Sequence, residues 1–202
     1  MQRALITALF STLTLGSHAV SFSDDKPVKV TAALSTDEVA IYRAVLQKYV
    51  SKESANLNIS LNTYPLKPDS LMSGLSAPDC LKGIQLENLS MVSHSFHVLP
   101  ADILPGPGMK LVDPKKQAKI VKSNDPSKTI GKNKSVGTAV EDAFASGLFS
   151  MSEIAFDKDH RFGVVSYSFW CGSLCGNGST LVFEKVDGVW KNANRPCGGW
   201  VS

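Results

Sequence analysis

From Val39 to Tyr49 the apolar positions Val39, Tyr42, Val45, Leu46 and Tyr49 recur every third or fourth residue. That spacing marks one face of an amphipathic helix running to about Val50. Ser35-Thr36-Asp37-Glu38 opens it as a capping box, with the Ser35 hydroxyl capping the first turn and Glu38 reaching back from the third helical position. The Val39/Tyr42/Leu46/Tyr49 stripe reads as core rather than as an aromatic face for a ligand. Before it, VKVTAAL (28–34) is a short strand or extended lead-in. After it, Leu57, Ile59 and Leu61 alternate with Asn58, Ser60 and Asn62, the period of a half-buried strand that Pro65 and Pro68 end. Leu81, Ile84, Leu89 and Val92 predict a second helix from Pro78 to about Val92.

The middle of the chain is more polar. PADILPGPGMK (100–110) has three prolines and two glycines and reads as loop. Lysines 110, 115, 116, 119, 122, 128, 132 and 134 follow against only Asp113 and Asp125, so a solvated helix from about Pro114 and then a loop are expected, as an insertion at about 105–134. Val136, Val140 and Phe144 predict a third helix from Ser135 to Ala145, stopped by Gly147.

The last fifty residues change period. MSEIAFD, RFGVVSYSFW, STLVFEKV and VWKNA are rich in β-branched and aromatic residues. Asp157-Lys158-Asp159-His160 turns the first into the second, and Asp187-Gly188 is a two-residue hairpin signal before the last. Four antiparallel strands in a meander, with the N-terminal helices packed on one face, make an α+β domain.

Composition adds location. Arg3 precedes an apolar run from Ala4 to Leu15, and Ser17-His18-Ala19 completes the shape of a secretory signal cleaved after Ala19. Residues 20–27 read as a flexible start, and 28–202 as a single domain in a periplasmic or extracellular compartment. No Cys follows the cleavage point to carry a lipid, and no later apolar stretch is long enough to span a bilayer, so no membrane anchor is expected. The net charge of +3 selects neither nucleic acid nor an anionic membrane. The lysine-rich segment also lacks the aromatics or arginines that a nucleic-acid surface interleaves.

All four cysteines lie in the exported part, and an even number there favours disulfides. Two of them sit in WCGSLCGNGS (170–179). Three residues between Cys171 and Cys175, flanked by strands, do not fit a redox pair at a helix N-terminus. Zinc would need matching ligand pairs elsewhere, and Cys80 and Cys197 are single. The glycines do not follow a dinucleotide or P-loop pattern. A stapled turn remains, in which Gly172, Gly176 and Gly178 supply positive φ. A hairpin centred on Asp187-Gly188 places Cys197 opposite Gly178, and a loop centred on Leu174-Cys175 places Cys171 there too. Three cysteines then gather at one end of the sheet. Of the three possible connectivities, Cys171–Cys175 with Cys80–Cys197 is the first choice.

Catalytic motifs are absent from the sequence: no G-x-S-x-G elbow, no complete calcium loop at Asp157 and Asp159, no pair of acids set apart by a motif. His94 and His97 are the only clustered histidines. They read as surface residues rather than a metal pair, and no cofactor is implied.

The pattern FxxDHRFxVVSYSFxCGxLCGxGxTLVFEKVDGxWK, ending in Trp200-Val201-Ser202, resembles a group of exported bacterial proteins that share a domain of unknown function. LSTDEVAIYRAVL is similar to that group's first helix. The resemblance covers roughly 30–50 and 145–202. It implies an exported α+β domain and supplies no catalytic residue.

The resulting expectation is a non-catalytic binding, accessory or inhibitor-like module for another envelope or secreted protein, with Ser173, Asn177 and Trp200 as binding residues. Trp200 has a second reading, closing the core against Tyr42. The alternatives are a hydrolase using His94, His97 or His160 as base, and a thiol redox protein cycling Cys171 and Cys175.

Overall fold

The computed structural model describes residues 26–49, 57–68, 71, 77–132, 134–195 and 197–202. The expected signal segment, residues 1–19, lies outside them.

β1 (Val28–Lys29) is followed by α1 (Thr36–Tyr49). The capping box forms as the sequence predicts: the Ser35 N–H donates to Glu38 Oε2 at 2.7 Å, and the Glu38 N–H donates to Ser35 Oγ at 3.2 Å. Ile41, Tyr42, Val45 and Leu46 are buried, and the Tyr42 hydroxyl donates to the Ser152 carbonyl at 2.9 Å. The first turn of α1 is anchored from outside. Asp37 Oδ1 accepts from Lys185 Nζ at 2.8 Å and from Trp190 Nε1 at 2.9 Å. Burial pushes the Asp37 carboxyl up, and these donors outweigh it and hold it below the ordinary carboxylate range.

β2 (Leu57–Ser60) comes next, followed by two short helical turns, α2 (Ala77–Cys80) and α3 (Leu89–Val92). The single second helix expected from Pro78 to Val92 is therefore interrupted. Gly83 takes φ +79°, Leu86 bridges to Asp157, and the Asn88 side chain is drawn away to accept from the Phe156 N–H at 2.8 Å. β3 (Ser95–Phe96) pairs in parallel with β1. Beyond a 3₁₀ turn at Ala101–Ile103 lie β4 (Met109–Val112), α4 (Pro114–Ser123), α5 (Pro126–Thr129) and α6 (Val136–Ser146). The lysine-rich stretch is built into the fold. Asp113 caps α4, Gln117 and Val121 are buried, and Gln117 Nε2 donates to the Ser146 carbonyl at 2.6 Å.

The remaining elements are strands: β5 (Leu148–Met151), β6 (Ala155–Phe156), β7 (Phe162–Gly172), β8 (Cys175–Val186), β9 (Val189–Asn192) and β10 (Gly199–Val201). The antiparallel meander is present. It is extended into a mixed sheet ordered β10-β8-β7-β5-β2-β4, in which β2 runs parallel to both β5 and β4, while β6 pairs with β7 and β9 with β8. β2 is central, so its polar positions do not face water. Asn58 is 3% exposed and donates to the carbonyls of Ala145 at 3.0 Å and Gly147 at 2.9 Å.

Two apolar clusters hold the sheet. One joins α1 to Ile59, Phe149, Met151, Val165, Leu181, Phe183 and Trp190. The other joins Leu66, Val92, Val164 and Val182 to Cys80 and Cys197. Strand side chains alternate between faces, so neighbours such as Val164 and Val165 serve opposite clusters. Disulfides link Cys80 to Cys197 and Cys171 to Cys175, the pairing expected from the sequence.

Candidate functional site

The β7–β8 hairpin closes with Gly172 opposite Cys175, leaving Ser173 and Leu174 at its tip. Its register differs by three residues from the expected one: Ser168, not Cys171, lies opposite Gly178. Trp200, not Cys197, faces Gly178 from the other side. The chain leaves the ladder after Asn192, turns through Asn194 (φ +53°) and Gly198 (φ +78°), and re-enters at Gly199.

Ser173 is at the surface but is not free to bind. Its N–H and hydroxyl donate to Asp125 Oδ2 at 3.0 and 2.6 Å. Asp125 Oδ1 accepts from the Ser127 N–H at 3.0 Å and its hydroxyl at 2.8 Å, capping α5. Burial pushes this carboxyl up, but the four donors prevail and hold it at about 2. The carboxylate locks the hairpin tip to α5.

Of the three loop glycines, only Gly172 has positive φ, at +145°. Gly176 and Gly178 serve a different purpose from the one expected. The Trp200 indole lies across them, and a Cβ on Gly178 would stand 2.4 Å from Nε1. Trp200 is therefore not a core residue against Tyr42. It is 46% exposed and rests on a glycine bed of the neighbouring strand.

On the other face of β10 a groove of about 460 Å³ opens between the hairpin and the helices. Ile130, Val140, Phe144, Leu174 and Val201 line it together with the Cys171–Cys175 disulfide. Asn177 also lines it. Phe144 stacks on Phe169 with centroids 5.8 Å apart. Leu174 is 78% exposed, Val201 87% and Phe144 55%. The spacing of Val136, Val140 and Phe144 predicts this helix, but α6 buries Ala139, Ala143 and Ser146 and leaves the larger side chains outside. Small residues let α6 approach its neighbours closely, so the apolar stripe of the sequence becomes the wall of a groove.

Of the three expected binding residues, Asn177 alone lines the groove, Trp200 sits behind it, and Ser173 is held at its edge. Sequence reasoning missed Leu174, Val201 and the α6 stripe. The visible signal was Leu174 itself, an apolar residue at the tip of a hairpin.

The histidines are dispersed. His94 is exposed, with Nδ1 3.1 Å from the Ser90 carbonyl. His160 stacks on Phe156 at 4.8 Å. His97 is buried, contrary to the surface position expected. Its Nδ1 donates to Glu153 Oε2 at 2.8 Å, while Glu153 Oε1 accepts from the His97 N–H at 2.9 Å and from the Thr63 hydroxyl. This arrangement satisfies a buried carboxylate and ties three segments together. Neither His97 nor Glu153 lines the groove. Among the described residues no group of three or more His, Cys, Asp or Glu side chains could hold a metal, and no helix is long and apolar enough to cross a membrane.

Compared with known protein families, curated proteins and solved structures, the chain matches none.

Proposed function

We propose that this protein is an exported, non-catalytic binding module that captures another envelope or secreted protein in the groove beside its disulfide hairpin. The observation that carries this reading is the gathering of Ile130, Val140, Phe144, Leu174 and Val201 around one concavity. An exposed apolar patch with depth marks an interaction site on a small globular domain. The disulfides support an oxidising compartment. Rigidity supports it too: the Cys171–Cys175 staple and the Asp125 clamp pre-organise the hairpin, which lowers the entropy lost on binding.

A photo-crosslinking amino acid at position 174, and the same group at position 158 beyond the opposite end of β7, tests the reading in native cells. A discrete protein adduct from 174 and none from 158 is the expected result. Adducts from both positions, or from neither, would sink it.

A further inference from the structure

We infer that a recess at the carboxyl ends of the parallel strands β2, β4 and β5 is a second binding site, which takes a small organic acid with a compact apolar body. It shares no lining residue with the groove and does not depend on the binding reading above.

The first observation is its place in the sheet. β2 runs parallel to β4 and β5, so the three strands end on the same side. A recess of about 490 Å³ opens there, lined by Ser60 and Asn62 at the end of β2, Pro114 and Lys115 at the start of α4, and Ser150 of β5. The chains leaving β2 and β4 part at this point. The Tyr64 N–H donates to the Met151 carbonyl at 3.0 Å, along the continuation of β5, whereas β4 runs into α4. Crevices outside the carboxyl ends of parallel strands, where connecting segments diverge, are recurrent ligand sites.

The second is the pattern of polar side chains. Ile59 and Phe149 turn to the core with α1, so strand alternation sends Asn58, Ser60 and Ser150 to the opposite face. Asn58 is engaged by the Ala145 and Gly147 carbonyls, and the Ser60 hydroxyl donates to the Asn62 carbonyl at 2.6 Å. Among the described residues the Ser150 hydroxyl and the Asn62 side-chain amide have no such partner, and both residues line the recess.

The third is charge. Lys26, from the lead-in to β1, lines the recess with Lys115, and no acid is among the described residues around it. Among the described residues neither lysine side chain is in an ion pair. Asp113, the acid nearest to Lys115 in sequence, accepts from the Lys115 and Lys116 N–H groups at 2.8 and 3.0 Å. Asp113 thus closes the helix N-terminus, and the ammonium groups are what meets an anion. Two lysines and no carboxylate in one lining favour an acid group on the ligand.

The rest of the lining is apolar: the Phe96 ring and the rigid rings of Pro27, Pro65 and Pro114. An inorganic anion would leave these walls in water, so an acid group carried on an aryl or alkyl body is the better match.

The test titrates the isotope-labelled, disulfide-intact protein with phenylbutyrate, its neutral amide phenylbutyramide, and inorganic phosphate. Each is taken to about 10 mM, which reveals millimolar affinity in two-dimensional amide spectra. Phenylbutyrate should move the signals of Asn62, Phe96, Lys115 and Ser150, while those of Leu174, Gly176 and Val201 in the groove stay in place. Phenylbutyramide should bind about tenfold more weakly at low salt, with the gap narrowing as salt rises. Lys26→Gln/Lys115→Gln should bring phenylbutyrate down to the affinity of the amide. Both lysines are exposed, so the melting temperature of that variant should stay at the wild-type value. Equal binding of acid and amide, full affinity in the double variant, shifts confined to the groove, or no shift at all overturns the inference. Phosphate moving the same signals as strongly as phenylbutyrate overturns it too, since the apolar walls would then contribute nothing.

Discussion

Glu153 Oε2 lies 2.8 Å from Nδ1 of His97, across a sequence separation of 56. The carboxylate is almost fully buried, its side chain 2% exposed, and it accepts from His97 twice and from Thr63 once. These contacts join the segment after β2, the segment after β3 and the turn after β5. The pair therefore acts as an internal tie, and it accounts for a titratable dyad without giving it a reaction.

Replacing His97 with Ala removes one of the donors to a buried carboxylate. The variant should lose about 1–3 kcal/mol of unfolding free energy in urea, the usual cost of taking one partner from a buried hydrogen-bonding group. A double variant, His97→Leu with Glu153→Leu, should recover part of the loss, since neither polar side chain then remains inside without its partner. If His97→Ala unfolds at the wild-type urea concentration, the tie is not structural. A hydrolytic role for the pair would then deserve a substrate screen.

Gly178→Ala should destabilise by about 1–3 kcal/mol, the cost of forcing atoms into a packed site. The added Cβ would meet Trp200 Nε1 at 2.4 Å and the Tyr167 carbonyl oxygen at 2.7 Å. Trp200→Ala in the same chain relieves the first contact but not the second, which is backbone, so rescue should be partial. Denaturant midpoints of the two variants decide this. Full rescue would mean that the Tyr167 strand yields, and no loss at all would mean that the indole does not rest on the glycine bed.

The Asp125 carboxylate should make stability acid-sensitive. Its folded-state value, about 2, lies below the ordinary carboxylate value near 3.9. Its contribution is therefore fully present above about pH 4 and fades as pH falls through 2. Asp125→Asn should cost about 1–2 kcal/mol at pH 5, from the weakened cap on α5 and the loosened hairpin tip. The difference from wild type should shrink toward pH 2. A gap that stays constant from pH 5 to pH 2 would show that the charge at Asp125 contributes nothing.

Local signals in the sequence found local structure. Ser35 and Glu38 cap their helix as their spacing requires, and Asp187-Gly188 makes the β8–β9 hairpin in the expected register. Contacts between distant segments were not legible. Asn58 looked like a solvent position because its partners, the carbonyls of Ala145 and Gly147, belong to the C-terminal end of α6, almost ninety residues away. The Glu153–His97 pair was hidden for the same reason. The groove was missed because periodicity tells which residues share a face of α6, not which face turns inward. There the smallest side chains, Ala139 and Ala143, decided the packing.

The two disulfides should differ in what they contribute. Cys80–Cys197 closes a loop with a sequence separation of 117, whereas Cys171–Cys175 spans a separation of 4. By chain entropy the first restricts the unfolded state by about 5 kcal/mol and the second by about 2 kcal/mol. The long bridge also lies in the buried cluster with Leu66, Val164 and Val182, so its loss disturbs packing as well. The short bridge lies on the groove wall, where its loss loosens the tip that carries Leu174. A Cys80→Ala/Cys197→Ala variant should therefore melt far below wild type. A Cys171→Ser/Cys175→Ser variant should keep most of its stability but give a weaker crosslink from position 174, as the hairpin loses its pre-organisation. Calorimetry and crosslinking yield on both variants separate the two roles. Equal loss of stability from both changes would contradict the assignment of one bridge to the core and the other to the groove.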